Sequence, residues 1–76
     1  MPTYGFECGG LKFVILTPTF MFAEDQRRVR RMIKRRIERG EAKGHFIFTN
    51  TYDGERYKIQ WWPYSEKPPK KISKGA

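Results

Sequence analysis

Apolar residues alternate along the first stretch of the chain. Tyr4, Phe6 and Cys8 are followed by Leu11, Phe13 and Ile15, with Gly9-Gly10 between them. A period of two marks a strand with one buried face, and a two-glycine interruption is a favoured hairpin loop. The expected strands are Thr3–Cys8 and Leu11–Thr17, paired Cys8–Leu11, Glu7–Lys12, Phe6–Phe13 and Tyr4–Ile15. That register puts the apolar residues on one side and matches Glu7 with Lys12 on the other. Pro18 ends the pairing, and Thr19–Phe22 is an apolar connection that either extends the strand or staples the start of a helix.

The period then changes to that of a helix. At 100° per residue, Phe22, Val29, Ile33 and Ile37 share one narrow stripe. Arg27, Arg28, Arg31, Lys34, Arg35 and Arg39 lie opposite. The helix is expected from Ala23 to Arg39. Glu24 and Asp25 suit its positive end, Arg35, Arg36 and Arg39 its negative end, and Gly40 a left-handed stop. Alternation resumes in His45–Tyr52 and Glu55–Trp62, around Asp53-Gly54, a type I′ turn signal. A two-residue loop there pairs Phe48 with Ile59, Phe46 with Trp61 and Asn50 with Tyr57. Arg56, Lys58 and Trp62 fall on the other face. Pro63 ends the strand.

The resulting fold class is α+β, in the order β-β-α-β-β. Two antiparallel hairpins form a four-stranded sheet, and one basic amphipathic helix covers Phe6, Phe13, Phe46, Phe48, Ile59 and Trp61. The hairpins join within one chain or across a two-fold dimer, and the sheet left bare by a single helix leaves room for a homodimer. With 76 residues there is space for one small core. The expected division is a domain over residues 1–64 and a flexible Lys/Pro-rich tail over residues 65–76.

Charge changes the picture most. The formal net charge is +8. Residues 23–44 carry nine basic and four acidic groups, residues 65–76 carry a further net +3, and the rest balances. Arg27, Arg31, Arg35 and Arg39 form like-charged i,i+4 pairs, each costing a few tenths of a kcal/mol. A face built only for solubility would alternate signs. This one suits an anionic partner, and nucleic acid is the commonest. Arginines contact phosphates bidentately. Base-reading amides on the helix are limited to Gln26, so backbone contacts should dominate. On the open sheet face, Trp62 beside Lys58 and Arg56 could stack an unpaired base, which favours RNA slightly over DNA. In the tail Lys67, Lys70, Lys71 and Lys74 would add non-specific phosphate affinity.

The alternative is a small regulatory or inhibitor protein, of the compact kind found in viruses and mobile elements, docking on an acidic surface of a larger protein. Its arginines would then meet carboxylates, with Trp62, Tyr64 or Phe20 as aromatic anchors. Catalytic constellations are sparse. His45 is the only histidine, and no serine and acid accompany it at a recognisable spacing. A metal-free ribonuclease using His45, Arg56, Tyr57 and Lys58 is the enzyme reading that survives. Glu24 and Asp25 read as helix-dipole partners and Asp53 as turn chemistry, so no metal or other cofactor is expected. Cys8 is the only cysteine, and no charged n-region or cleavage site opens the chain. A cytoplasmic location without a membrane partner is the expectation, since the apolar helix stripe is needed by the sheet.

Overall fold

The computed structural model describes residues 3–66. Its elements are β1 (Thr3–Cys8), β2 (Leu11–Leu16), α1 (Ala23–Glu38), β3 (Gly44–Thr49) and β4 (Arg56–Pro63). The strands form one antiparallel sheet in the order β1-β2-β4-β3. The hairpins therefore join within the chain, through β2 and β4, with Ile15 opposite Trp61 and Val14 opposite Trp62.

The first hairpin has the expected register throughout. Gly9 and Gly10 have φ of 61° and 80°, the paired positive angles a type I′ loop requires. The second hairpin differs from expectation by two residues. Phe46 faces Ile59 and Phe48 faces Tyr57, so the loop holds Thr51–Gly54 between the closing residues Asn50 and Glu55. A two-residue loop would need positive φ at both Asp53 and Gly54; only Gly54 has it. The Gly54 N–H donates instead to the Asn50 carbonyl at 2.7 Å. An even shift preserves which side chains share a face, so the core survives it.

That core comprises Cys8, Phe13, Ile15, Met21, Val29, Ile33, Phe46, Ile59 and Trp61, with Tyr4, Phe6, Ile37, Phe48 and Tyr57 packed at its margin. Complete burial of Val29 or Ile33 stabilises by roughly 1.5–3 kcal/mol each. Phe22 departs from the expected stripe. It is the residue preceding the helix, with extended φ and ψ of −64° and 155°, and 45% of it is exposed. Its backbone has left the helical phase, so the wheel no longer places its ring.

The helix ends as its glycine foretells. Gly40 has φ 99°, its N–H donates to the Ile37 carbonyl, and the Glu41 N–H donates to the Arg36 carbonyl, both at 2.9 Å. This is a Schellman arrangement. The Arg36 guanidinium then lies over the rings of Phe46 and Trp61, 5.4 and 5.9 Å from their centroids, and so joins α1 to both strands of the second hairpin. Among the described residues no helix is long and apolar enough to cross a membrane.

Candidate functional site

The outer face of α1 displays the expected cations. Arg27, Arg31, Lys34, Arg35 and Arg39 are all exposed, and none forms an ion pair with a described residue. Arg27 to Arg39 spans about 18 Å along the axis at 1.5 Å per residue. Glu24 and Glu38 sit at the two ends of this row and are exposed too.

Arg28 has a different position. Its Nη1 donates to Asp25 Oδ1 at 2.8 Å, and its side chain is only 48% exposed. Asp25 is in turn completely buried. Its other oxygen, Oδ2, accepts from the backbone N–H of Thr51 at 2.9 Å and from the Thr51 hydroxyl at 2.8 Å. Burial pushes this carboxyl's pKa up. Donation by Thr51 and Arg28, with the nearby guanidinium charge, more than offsets that and holds it below the ordinary 3.8. Asp25 therefore does more than complement a helix dipole: it ties the first turn of α1 to the β3–β4 loop.

Asn50 adds a second tie. It is buried, its Nδ2 donates to the Phe20 carbonyl at 2.7 Å, and its Oδ1 accepts from the Tyr52 N–H at 2.8 Å. The segments it joins carry three exposed rings that sequence periodicity missed. Phe20, Phe22 and Tyr52 are 54%, 45% and 58% exposed. They meet edge to face, with centroids 5.3–5.7 Å apart. Phe22 is expected in the helix stripe and Tyr52 in the strand His45–Tyr52, but both lie in connections, beside Phe20, because α1 starts at Ala23 and β3 ends at Thr49.

The open sheet face offers less than expected. Arg56 and Lys58 are exposed, opposite Thr49 and Ile47. Trp62 is only 5% exposed, which corrects its expected role as a stacking platform. β4 is an interior strand, so Trp62 is flanked by Val14 of β2 on one side. On the other side Lys43 immediately precedes β3, and its Nζ reaches Glu66 Oε1 at 3.0 Å. Lys70 and Lys71 lie outside the described residues.

Three of the four nuclease candidates share a face and the fourth does not. His45, Arg56 and Lys58 are exposed on the open face, whereas Tyr57 alternates onto the helix face. Its hydroxyl donates to Asp53 in the loop. That bond raises the tyrosine pKa above 10.0 and lowers that of Asp53, which also accepts from the Glu55 N–H.

The site therefore consists of a cationic helix face with an aromatic cluster at its N-terminal end. Comparisons of the chain with protein-family models, curated proteins and solved structures gave no match.

Proposed function

We propose that this chain binds nucleic acid through the outer face of α1, chiefly by contacts to phosphates. One observation carries the reading: five exposed cations, Arg27, Arg31, Lys34, Arg35 and Arg39, have no ion-pair partner among the described residues. Three acids are committed elsewhere, Asp25 to Thr51 and Arg28, Glu41 to Arg36, and Glu66 to Lys43, while Glu24 and Glu38, at the two ends of the row, pair with none of the five. Such a row neutralises phosphates without reading bases. Burial of Trp62 removes the feature that favoured RNA, so duplex and single strands are both substrates for the helix.

Fluorescence-anisotropy titration with single- and double-stranded RNA and DNA, at low and physiological salt, tests this. Five phosphate contacts give a log K against log [salt] slope of about −4.5 on duplex DNA. Replacing Arg27, Arg31 and Arg35 together with Gln should flatten that slope by about three and weaken binding at least about tenfold. Absence of binding at low salt, or unchanged binding by the folded triple variant, overturns the proposal. A second reading, docking on an acidic protein surface, is favoured by Phe20, Phe22 and Tyr52, because exposed aromatic clusters act as binding anchors at protein interfaces.

A further inference from the structure

We propose that the outer edge of β3 is a self-pairing surface, along which two copies of the chain join antiparallel into one continuous sheet with both arginine helices on the same side. The backbone decides which groups are available. The Asn50 N–H donates to the Glu55 carbonyl at 2.8 Å, so this is a hydrogen-bonded pair of the β3–β4 ladder. Alternation from there directs the groups of Phe48, Phe46 and Gly44 toward β4. It turns the N–H and C=O of His45, Ile47 and Thr49 outward, and among the described residues no strand lies beyond them.

Edges are normally blunted by a lysine, a proline, an inward charge or a bulge. β3, with the sequence GHFIFT, has no proline and no Asp, Glu, Lys or Arg, and its ladder with β4 runs unbroken from Gly44 to Thr49. Ile47 is 52% exposed. The opposite edge is protected. Since Cys8 and Leu11 close a two-residue loop, β1 turns Thr3, Gly5 and Glu7 outward. That edge has a charge, and a glycine leaves nothing to pack at its centre.

The β3 edge is also self-complementary. A two-fold axis at Ile47 sets this residue against Ile47 of the second copy and His45 against Thr49, forming about six backbone hydrogen bonds. On the helix side the same register sets Phe46 against Phe48, which is only half-buried in one chain. No like charges face each other directly. The Lys58 residues, each one strand back opposite Ile47, are separated by three strand spacings, about 14 Å. That exceeds the screening length of about 8 Å at physiological ionic strength. The net +8 of each copy opposes association only at low salt. Dimerisation therefore strengthens as salt rises, the opposite of phosphate binding.

Sedimentation equilibrium of the full chain over a range of concentrations and salt tests this. The expected result is a monomer–dimer equilibrium that shifts toward dimer with added salt. Amide exchange at His45, Ile47 and Thr49 should slow as protein concentration rises. Ile47→Lys sets two ammonium groups opposite each other and should weaken the dimer at least about tenfold, while its circular-dichroism melt should match wild type at dilutions where both are monomeric, because the side chain is exposed in the single chain. Glu7→Lys should leave the dimer intact. A chain monomeric under all conditions, a dimer indifferent to Ile47→Lys, or one disrupted by Glu7→Lys instead would each overturn the proposal.

Discussion

Thr51 donates both its backbone N–H and its hydroxyl to a single oxygen of Asp25, 26 residues earlier, at 2.9 and 2.8 Å. With Arg28 on the other oxygen, the buried carboxylate is fully engaged. Asp25→Ala removes charge-assisted bonds and leaves the Thr51 N–H without its partner, so it should cost about 2–4 kcal/mol. The acid response is set by the sign of the shift. The folded pKa lies below the ordinary 3.8, so the stabilisation is complete above that value and disappears as pH falls through the folded one. Urea midpoints measured from neutral to strongly acid pH should show wild type losing this increment and Asp25→Ala lacking it. Asp53→Asn should retain most of it, because that exposed carboxylate is screened by solvent. Parallel curves for wild type and Asp25→Ala would refute the assignment.

The contrast between the two hairpins shows which parts of the fold could be read from the chain. Gly9-Gly10 determines its own geometry, so the register of β1 and β2 is fixed by local residues alone. Asp53-Gly54 gives the same kind of signal, but Asn50 and Thr51 bond to Phe20 and Asp25, and those long-range bonds select a longer loop. Helix phase was legible because Val29 and Ile33 repeat at the proper spacing; Phe22 was misplaced because it lies just outside the helix. Among the site residues, the arginine row was visible as a charge pattern. The burial of Trp62 was not: alternation assigns it to the face without the helix, and the pairing of β4 with β2 that sets Val14 beside it has no signature in alternation.

Gly44 and Gly54 should resist substitution for different reasons. A Cβ at Gly44 would stand 3.0 Å from Trp61 Cη2 and 3.2 Å from Cζ2, while the indole N–H donates to the Glu41 carbonyl at 3.1 Å. Moving the ring aside would stretch that bond, so Gly44→Ala should cost about 1–3 kcal/mol by overpacking. Gly54 has open space around it but φ of 73°, so Gly54→Ala should cost about 1 kcal/mol through backbone strain. Tryptophan near-ultraviolet circular dichroism separates the mechanisms: it should change in Gly44→Ala and stay the same in Gly54→Ala.

Trp62→Ala provides a test of burial against function. A 5% exposed indole removed from an interior strand should cost about 3–5 kcal/mol in chemical denaturation. Any loss of nucleic-acid affinity should then track the unfolded fraction and vanish when titrations are run well below the melting temperature. A stable Trp62→Ala variant with weakened single-strand binding would restore the stacking role that the structure removes.

The aromatic cluster discriminates between the two partner classes. Phe20 and Tyr52 are 54% and 58% exposed, and their rings meet at 5.3 Å. Replacing both with Ala removes the edge-to-face contacts among the three rings, each worth about 0.5–1.5 kcal/mol, while the buried ties at Asn50 and Asp25 remain. The double variant should therefore fold. Phosphate binding by Arg27, Arg31, Lys34, Arg35 and Arg39 does not involve these rings, so duplex affinity and its salt slope should stay within about twofold of wild type. A protein partner held by aromatic anchors would instead be lost, since truncating an anchor typically costs about 2 kcal/mol or more, roughly thirtyfold in affinity. Anisotropy with duplex DNA and the double variant thus gives a direct reading. Retained affinity assigns binding to the helix, whereas a large loss would make the cluster part of the binding surface and favour a partner that buries exposed aromatics.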